Sequence, residues 1–485
     1  MQPILLLSCL IALAATGAAA QPAPRPNIIF ILADDLGYGD LGVYGQKIIQ
    51  TPNLDRLAAE GLRFTQFYAG STVCAPSRSV LMTGRHAGHT RVRGNAGADN
   101  AAAQTLAASD VTIARVLQQA GYATALIGKW GLGEMGSEGA PNRQGFDYFY
   151  GFVNQTHAHN HYPDFLWRNS EKVPLPNIVT PVGTVPGAGY AAKRVQYAND
   201  LFFEEARAFL ERSRERPFFL LLSLTLPHAN NERARALGDG QEVPDYGPYA
   251  AKDWAGPLKG QAAMITRMDR QIGELLAAAR QLGLDERTLV IFTSDNGPHK
   301  EGGTGYDPDF FDANGPFSGI KRSLTDGGIR VPFIARWPRR IAAGGTTAQV
   351  GHFGDVMATF AELAGARPPA ALDSLSLVPT LLGRGTQAKH EYLYWEFYEG
   401  GFSQAVLLEG RWKGIRLESP AAPIRLYDLA SDPGEVVDVA ASQPKLVQRI
   451  TAIMRDAHVD NDYWKWPASG APVPRAAAPG RPHSP

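Results

Sequence analysis

The residues best suited to chemistry are acidic and amide side chains that directly follow apolar runs. Asp34 and Asp35 end the run "NIIFILADD", and Asp295 and Asn296 end the run "TLVIFTSDN". Carboxylate and amide oxygens are the ligands that Ca²⁺ and Mg²⁺ prefer, so these four side chains predict a site for a hard divalent cation. Such pairs are also common in turns, which leaves a purely structural role as the alternative.

Cys74, in "STVCAPSRSVLMTGR", is the second residue type that calls for a chemical explanation. The chain has two cysteines, and Cys9 lies in an N-terminal segment that we expect to be cleaved. A cysteine left without a partner in an exported protein indicates a reactive or modified side chain. The alternative is a buried thiol that packs as a small hydrophobic group. The polar neighbours Thr72, Ser77 and Arg78 argue against an apolar pocket, and we expect a loop around Cys74.

The N-terminal segment is typical of a secretion signal. An apolar run over residues 4–15 is followed by small residues that end at Ala20, which predicts a signal peptide over residues 1–20. The run is short for a membrane-spanning helix, so no stable membrane anchor is expected. We therefore expect an exported protein, either periplasmic or secreted.

The composition describes an ordinary globular protein without a charge bias. Lysine plus arginine equals aspartate plus glutamate, at 47 each, so the formal net charge is zero. A nucleic-acid-binding protein usually carries a basic excess, so no nucleic-acid partner is expected. The chain has 485 residues, which is enough for a large enzyme core with an appended smaller domain.

The elements that must position these residues alternate between strands and helices over residues 26–385. Apolar, strand-like segments are "YATALIGK", "RPFFLLLS", "TLVIFTS" and "RVPFIARWP", and helical patterns lie between them. This alternation predicts an α/β fold with a large mixed sheet flanked by helices. Polar residues follow the strand ends at Asp34, Lys129, His228 and Asp295, and that edge of an open α/β sheet is where ligands bind. We therefore expect one composite site there.

A second, smaller region is predicted over residues 386–466. The segments "HEYLYWEF", "SQAVLLEGRWKGIRL" and "IRLYDLASDPGE" are rich in strand-forming residues with tight turns, and a helix is predicted at about residues 444–457. The pattern indicates a small antiparallel sheet with a packing helix. Residues 467–485 are rich in proline and alanine and are predicted to be disordered.

Several of these segments, in this order, resemble the sulfatase family, the arylsulfatase-like sulfuric ester hydrolases of the alkaline phosphatase superfamily. The resemblance covers nearly the whole chain after the predicted signal, through segments that include "CAPSRSVLMTGR", "GYATALIGKWGLG", "SLTLPH", "TSDNG" and "GIKRSLTDGGIRVPFIARWP". The Cys-x-Pro-Ser-Arg motif alone is short enough to arise by chance. Its companions in family order make the resemblance specific, and they imply an alkaline-phosphatase-like fold.

The resemblance implies that Cys74 is the precursor of formylglycine (3-oxoalanine), made by a dedicated maturation enzyme that recognises Pro76 and Arg78 in the unfolded chain. The hydrated aldehyde would attack sulfur, expel the alcohol and then release sulfate through its second hydroxyl. It also implies one Ca²⁺, which would lower the pKa of that hydroxyl. The implied metal ligands are Asp34, Asp35, Asp295, Asn296 and the converted Cys74.

The resemblance also assigns positive groups to the sulfate and a proton donor to the leaving oxygen. Arg78, Lys129 and Lys321 would stabilise the negative charge that develops during the reaction. His228 of "LPH" would act as the general acid. Taken singly, each of these residues would more often be a solvated surface group.

The chain departs from the family pattern at Gly131, where most relatives carry histidine in Gly-Lys-Trp-His-Leu-Gly. Because glycine cannot contact the nucleophile, we expect either impaired catalysis or a replacement histidine on the substrate-binding side of the site. The candidates are His157, His159 and His299, and a solvated loop is the alternative for the first two. Asp326 stands where many relatives carry glutamate, and we expect little effect from that difference.

We therefore expect an exported, Ca²⁺-dependent formylglycine sulfatase that acts on a sulfated saccharide or an aryl sulfate. Two alternatives stay open. One is a phosphonate or phosphodiester hydrolase of the same superfamily. The other is a catalytically impaired, glycan-binding relative, which the departure at Gly131 leaves open.

Overall fold

The computed structural model describes residues 25–96 and 98–467. The predicted signal peptide (residues 1–20) lies outside the described residues, and so does the predicted disordered tail apart from its first residue. Among the described residues, no helix is both long enough and apolar enough to cross a lipid bilayer.

A ten-stranded mixed sheet forms the centre of the fold. Its strands are β1 (Asn27–Ala33), β2 (Leu62–Phe64), β4 (Ala123–Lys129), β5 (Tyr148–Phe152), β6 (Phe165–Arg168), β7 (Glu171–Pro174), β10 (Phe218–Ser223), β11 (Thr288–Ser294), β12 (Phe333–Arg336) and β13 (Gly345–Thr347). Their spatial order is β13-β2-β12-β11-β1-β10-β4-β5-β6-β7. The five strands from β11 to β5 run parallel, and the neighbours on either side of them, β12 and β6, run antiparallel.

The remaining strands form three smaller sheets. Two pairs are β3 (Phe67–Tyr68) with β14 (Gly351–His352), and β8 (Ile178–Pro181) with β9 (Gly189–Lys193). An antiparallel sheet contains β15 (Tyr392–Phe397), β16 (Ser403–Leu408), β17 (Trp412–Arg416) and β18 (Arg425–Asp428).

Helices cover both faces of the central sheet. The α-helices are α1 (Pro52–Ala59), α2 (Cys74–Thr83), α3 (Ile113–Gln119), α4 (Ala198–Ser213), α5 (Asn231–Leu237), α6 (Gly256–Gln281), α7 (Asp326–Ile329), α8 (Asp355–Ala364), α9 (Val378–Leu382) and α10 (Pro444–Asp456). Helices α1 and α4 pack against α6, whereas α2 and α3 pack against α8.

Strand β1 explains why the sheet needs helices on both faces. All seven of its residues are buried, and successive side chains point to opposite faces of a strand. Ile29 and Ile31 belong to the core with α4 and α6, and Ile28 and Phe30 belong to the core with α2 and α8. A run that is apolar on both sides is typical of a central parallel strand.

The parallel arrangement brings several strand ends to one edge. Ala33 of β1 pairs with Ser294 of β11, and Leu32 pairs with Ser223 of β10. Ser223 pairs in turn with Gly128 of β4. The residues that follow β1 and β11, and the last residue of β4, therefore lie together, as the strand-end pattern predicts.

The four-stranded sheet packs against segments that carry predicted site residues. Trp395 of β15 lies in one hydrophobic cluster with Val73, which precedes Cys74, and with Leu324, which follows Lys321. The other face of this four-stranded sheet packs on α10 through residues such as Val406 and Ile450. The predicted fold class, a large mixed sheet flanked by helices plus a small antiparallel sheet with a packing helix, is confirmed. The exact boundary at residues 385 and 386 stays a prediction.

Candidate active site

Cys74 is the first residue of helix α2, whereas the sequence led us to expect a loop there. Its side chain is buried, with 3% exposed, but the thiol lies beside carboxylates and not in an apolar pocket. Two residues in the sequence are typical of the ends of such a helix: Pro76 in the first turn and Gly84 after the last residue. Proline is tolerated in a first turn, where its missing N–H has no helical acceptor. Gly84 adopts the left-handed conformation, φ 68°, that ends many helices.

Two carboxylates from the end of β1 lie beside the thiol. Cys74 Sγ is 3.3 Å from Asp34 Oδ1 and 4.0 Å from Asp35 Oδ1. Asp35 has a φ of 65°, a conformation that non-glycine residues adopt only when their surroundings hold them there. One such contact is the hydrogen bond that its N–H donates to Asp295 Oδ1, at 3.1 Å.

The end of β11 adds the third carboxylate and an amide. Asn296 Nδ2 donates to Asp35 Oδ1 at 2.7 Å. Asn296 Oδ1 is buried and has no hydrogen-bond partner among the described residues. Asp34, Asp35, Asp295 and Asn296 are all 0% exposed. The predicted clustering of these four side chains is therefore what the structure has.

Each carboxylate is paired with a buried cation. Lys129 Nζ lies 2.7 Å from Asp34 Oδ2, and Lys321 Nζ lies 2.8 Å from Asp35 Oδ2. Arg78 Nε and Nη2 donate to Asp295 Oδ2 at 3.0 and 2.8 Å. Buried charges are tolerated when they are paired and hydrogen-bonded. The three pairs therefore hold the cations in place around Cys74.

These pairs set the protonation states of the acids. Burial alone would raise the pKa of Asp34, but the charges of the nearby Lys129 and Arg78 hold it well below its ordinary value. Burial and then the charge of Asp34 raise the pKa of Asp295 to about 7, against the opposing effect of Arg78. Two carboxylates of one site thus differ in their readiness to take a proton.

The same surroundings keep Cys74 as a neutral thiol. Burial, followed by the negative charge of Asp34, raises the pKa of the thiol well above its ordinary value. Because the thiolate is the reactive form of cysteine, an unmodified Cys74 is a poor nucleophile here.

His228 follows strand β10 and lies beside the cluster. Its Nδ1 lies 2.6 Å from the carbonyl oxygen of Ala229, so Nδ1 carries a proton. Its Nε2 lies 3.2 Å from Lys321 Nζ, which donates to it. Burial and then the charge of Lys321 lower the pKa of His228 well below its ordinary value. His228 is therefore neutral, and the proton next to its Nε2 belongs to Lys321.

The predicted histidines occupy three different positions. The His159 ring stacks on the His228 ring, with centroids 4.8 Å apart, and its Nδ1 lies 3.0 Å from Glu232 Oε2. The His299 ring is 6.1 Å from that of His228. His157 is buried between aromatic rings, 4.8 Å from Phe152 and 4.5 Å from Phe165 between centroids. Of the three, His159 lies closest to His228.

The space beside Gly131 is filled by a side chain that the sequence did not suggest. Gly131 has a φ of +80°, and a Cβ atom built there would lie 2.6 Å from Gln155 Nε2. A histidine at this position would therefore collide with the Gln155 amide. Whether one of the predicted histidines replaces the missing one stays a prediction.

Glu301 is a further residue that the sequence did not single out, and His161 is the third histidine of the run that contains the favoured candidates His157 and His159. Glu301 Oε2 accepts from Lys321 Nζ at 2.9 Å, so Lys321 is held by two carboxylates. His161 Nε2 lies 2.8 Å from the carbonyl oxygen of His228 and supports its loop. Their positions are the only signals for a place near the site: Glu301 follows "SDNG" closely, and His161 comes two residues after His159.

The cluster fits a hard divalent cation. One ligand atom each of Asp34, Asp35, Cys74 and His228 lies within 4.8 Å of the others. The buried oxygen of Asn296 that lacks a partner is a further ligand of the kind that Ca²⁺ takes. Cys74 and His228 would offer sulfur and nitrogen, which are softer ligands, so it is the carboxylate and amide oxygens of the site that fit Ca²⁺.

Comparison with family models gives two matches. The model described as Sulfatase matches residues 26–366. The model described as N-sulphoglucosamine sulphohydrolase, C-terminal, matches residues 317–460, which extend across the predicted boundary between the two regions.

Curated relatives match over most of the chain. Steryl-sulfatase of Mus musculus is 35% identical and covers 83% of this chain and 71% of its own length. Arylsulfatase A of Homo sapiens is 34% identical and covers 91% of this chain and 89% of its own length. N-acetylgalactosamine-6-sulfatase of Rattus norvegicus is 34% identical, with 83% of this chain and 73% of that protein covered.

Solved structures agree in fold. A structure of Ps i-CgsB in complex with k-i-k-neocarrahexaose is 27% identical, with a TM-score of 0.74 over 89% of this chain and 92% of that chain. A structure from work on glycosaminoglycan metabolism by Bacteroides thetaiotaomicron is 27% identical, with a TM-score of 0.72 over 90% of this chain and 99% of that one.

Proposed function

This chain belongs to the sulfatase family and is a sulfuric ester hydrolase, and we propose that its nucleophile is formylglycine made from Cys74. The observation that carries the proposal is the neutral, buried thiol among three carboxylates and three cations. A thiol whose pKa is raised is ill suited to attack an ester. The site is better suited to a converted side chain at residue 74 than to a thiol.

We further propose that Asp34, Asp35, Asp295 and Asn296 hold one Ca²⁺ together with residue 74. When bound, this ion and the hydrated aldehyde supply a hydroxyl group acidic enough to attack sulfur. Asp295, which accepts from Arg78 Nη2 at 2.8 Å, would take the proton from that hydroxyl.

The cations orient the sulfate group and stabilise its transition state. Arg78, Lys129 and Lys321 are buried, at 3%, 1% and 6% exposed. Positive groups in a site without bulk water stabilise developing negative charge far more than they would in water. Their fixed partners keep them in position before the substrate arrives.

Lys321 and His228 act together at the leaving oxygen. His228 is neutral with its proton on Nδ1, so on its own it has no proton at Nε2 to give. Lys321 Nζ donates to that nitrogen at 3.2 Å. We propose that the Lys321–His228 pair supplies the proton that the departing alcohol needs.

We propose a sulfated saccharide as the substrate, ahead of an aryl sulfate. Similar proteins include one solved with a neocarrahexaose and one named for N-acetylgalactosamine 6-sulfate. We also propose export through residues 1–20, conversion of Cys74 by a maturation enzyme and no nucleic-acid partner. The balanced charge of the chain agrees with the last point.

Peptide mass and turnover together test the nucleophile. After expression with a formylglycine-generating enzyme, we expect the peptide containing residue 74 to carry an aldehyde in place of the thiol. Cys74→Ser should stay folded and lose multiple turnover of 4-nitrophenyl sulfate by at least about a thousandfold, because serine cannot expel sulfate through a second hydroxyl. An unmodified cysteine in fully active enzyme would refute the mechanism.

The phosphodiesterase alternative is separated by substrate preference. The expected result is a kcat/KM for 4-nitrophenyl sulfate above that for bis(4-nitrophenyl) phosphate. A preference for the phosphodiester by orders of magnitude would show that the sulfate ester is not the physiological substrate.

A further inference from the structure

A cavity of about 400 Å³ has in its wall Gly131, which lies two residues after Lys129. Its walls come from the loop after β4, the segment after β5, strand β6 and the loop between β8 and β9. The lining residues that matter here are Gly131, Gln155, His157, Trp167 and Lys172. The volume falls within the range of roughly 300–1,000 Å³ that is typical of small-molecule pockets.

The cavity and the catalytic cluster share two chain segments. Gly131 follows Lys129 by two residues, so their Cα atoms are at most about 7.6 Å apart. The second segment is the short 3₁₀ turn His157–His159, in which His157 lines the cavity and the His159 ring stacks on that of His228. A molecule with its sulfate at the cluster therefore has this cavity next to its remaining part.

Because Gly131 has no side chain, it affects the shape of the cavity wall. A Cβ at this position would meet the Gln155 amide at 2.6 Å, so any other residue would push Gln155 from its place. The departure at Gly131 thus lets the Gln155 amide form part of the cavity wall.

Two polar atoms on the cavity wall have no partner in the protein. Gln155 Nε2 and His157 Nε2 are buried, and neither has a hydrogen-bond partner among the described residues. His157 is 1% exposed. Buried polar groups normally have a partner, so these atoms are suited to receive the hydroxyl groups of a ligand.

The outer part of the cavity is aromatic and positively charged. Lys172 Nζ lies 4.4 Å from the ring centroid of Phe165 and 5.5 Å from that of Trp167. Both rings are partly exposed, and Lys172 is exposed. An apolar ring surface with a cation beside it suits a sugar ring that carries a negatively charged group.

We propose that this cavity binds the saccharide part of the substrate, next to the sulfated position. Phe165 and Trp167 support a sugar ring, Gln155 and His157 bind its hydroxyl groups, and Lys172 attracts a second sulfate or a carboxylate. This inference rests on the proposed function, because it assigns the non-reacting part of the same substrate. Binding energy from such remote parts can raise turnover as well as affinity.

The test compares substrates with and without a saccharide. The full chain, matured at Cys74, is assayed for sulfate release from 4-nitrophenyl sulfate and from mono- and disulfated disaccharides prepared from carrageenan and heparan sulfate. We expect Trp167→Ala to lower kcat/KM for the best disaccharide about tenfold more than for 4-nitrophenyl sulfate. We expect Lys172→Gln to lower kcat/KM more for the disulfated disaccharide than for the monosulfated disaccharide.

Controls separate binding from folding. Trp167→Phe keeps a ring and should retain most of the disaccharide activity. Lys389→Gln removes an exposed charge outside the cavity and should change neither substrate. Thermal unfolding shows whether each variant is folded.

The outcomes distinguish the two proposals. Equal losses on both substrates, no losses, or hydrolysis of 4-nitrophenyl sulfate but of no disaccharide would overturn the saccharide cavity and leave the sulfatase mechanism intact. An absence of sulfate release from every substrate by protein that carries the aldehyde would instead refute the proposed function.

Discussion

At the residue scale, the acids around Cys74 are arranged to hold positive charge. Asp34, Asp35 and Asp295 each accept from a buried cation, and Asn296 Oδ1 is left without a partner. The same carboxylates therefore pair with lysine and arginine side chains and would also bind the proposed Ca²⁺.

Calcium binding should be measurable without an assay of activity. Adding Ca²⁺ to chelator-treated protein is expected to raise the unfolding temperature, because a ligand at about 100 times its Kd stabilises the folded state by about 2.7 kcal/mol. Asp35→Asn should reduce this shift strongly. Asp309→Asn, which changes an exposed carboxylate, should retain it. An unchanged shift in Asp35→Asn would contradict the metal site.

Lys129 is the cation nearest to Asp34, at 2.7 Å. Lys129→Met leaves that buried carboxylate without its closest partner, and breaking a buried pair costs about 3–5 kcal/mol. We expect kcat for 4-nitrophenyl sulfate to fall about a hundredfold or more. Urea unfolding and steady-state kinetics measure the two effects. Full activity with normal stability would exclude both roles, and Lys389→Met serves as the exposed control.

At the scale of elements, the loop that carries Lys321 is fastened to the small sheet through Asp326. Asp326 Oδ1 accepts from Lys413 of β17 at 2.8 Å, and its Oδ2 accepts from Arg330 at 3.0 Å. Its N–H donates to Glu435 at 2.6 Å. Burial alone would raise the pKa of Asp326, but Lys413 and Arg330 lower it. This network connects helix α7, next to the catalytic loop, with the sheet behind it.

Removing the charge of Asp326 tests whether the network positions Lys321. Asp326→Asn is expected to lower the unfolding temperature, since Lys413 loses its closest carboxylate, and to lower kcat more than it raises KM. Asp326→Glu keeps the charge found in many relatives and should lose less on both counts. Equal behaviour of the two variants would mean that the charge at this position has no part in orienting the loop.

At the scale of the whole molecule, a second buried network ties the small sheet to the segment that follows helix α2. Arg93 Nη1 lies 2.8 Å from Glu396 Oε1 on β15, and His458 Nδ1 lies 2.8 Å from Glu396 Oε2. Arg93 and Glu396 are 1% and 0% exposed at the side chain. The contact holds together parts of the chain that are 303 residues apart.

This network predicts a pH-dependent stability. Burial would lower the pKa of His458, but the hydrogen bond and charge of Glu396 raise it above its ordinary value. The resulting stabilisation is fully present below about pH 6.5, the unfolded value, and is lost as the pH rises through the raised folded value. We expect His458→Gln to lower the unfolding temperature clearly at pH 6 and much less at pH 9. An equal loss at both values would rule out this linkage.

Local patterns in the sequence were enough to predict most of the fold and the four oxygen ligands, and the resemblance to the sulfatase family supplied the other members of the cluster. The apolar runs before Asp34 and Asp295 are parallel central strands, and parallel strands end at one edge of a sheet. Helix α10 begins at Pro444, as predicted. These features depend on residues close together in the chain, so a single sequence contains them.

Cys74 marks the limit of such local reasoning. Its segment reads as a polar loop, but it forms a buried helix because α2 packs between the sheet and α8. Burial of this kind is produced by distant elements, and it is burial that holds the thiol neutral.

The sequence by itself placed Asp34, Asp35, Asp295 and Asn296 after apolar strands, and the resemblance to sulfatases added Cys74, Arg78 and Lys321 to the predicted site. Only the tertiary structure decided how they are paired. Lys321 reaches Asp35 from 286 residues away, and Gln155 fills the space beside Gly131. Contacts of this kind depend on the packing of whole elements, which no short stretch of sequence specifies.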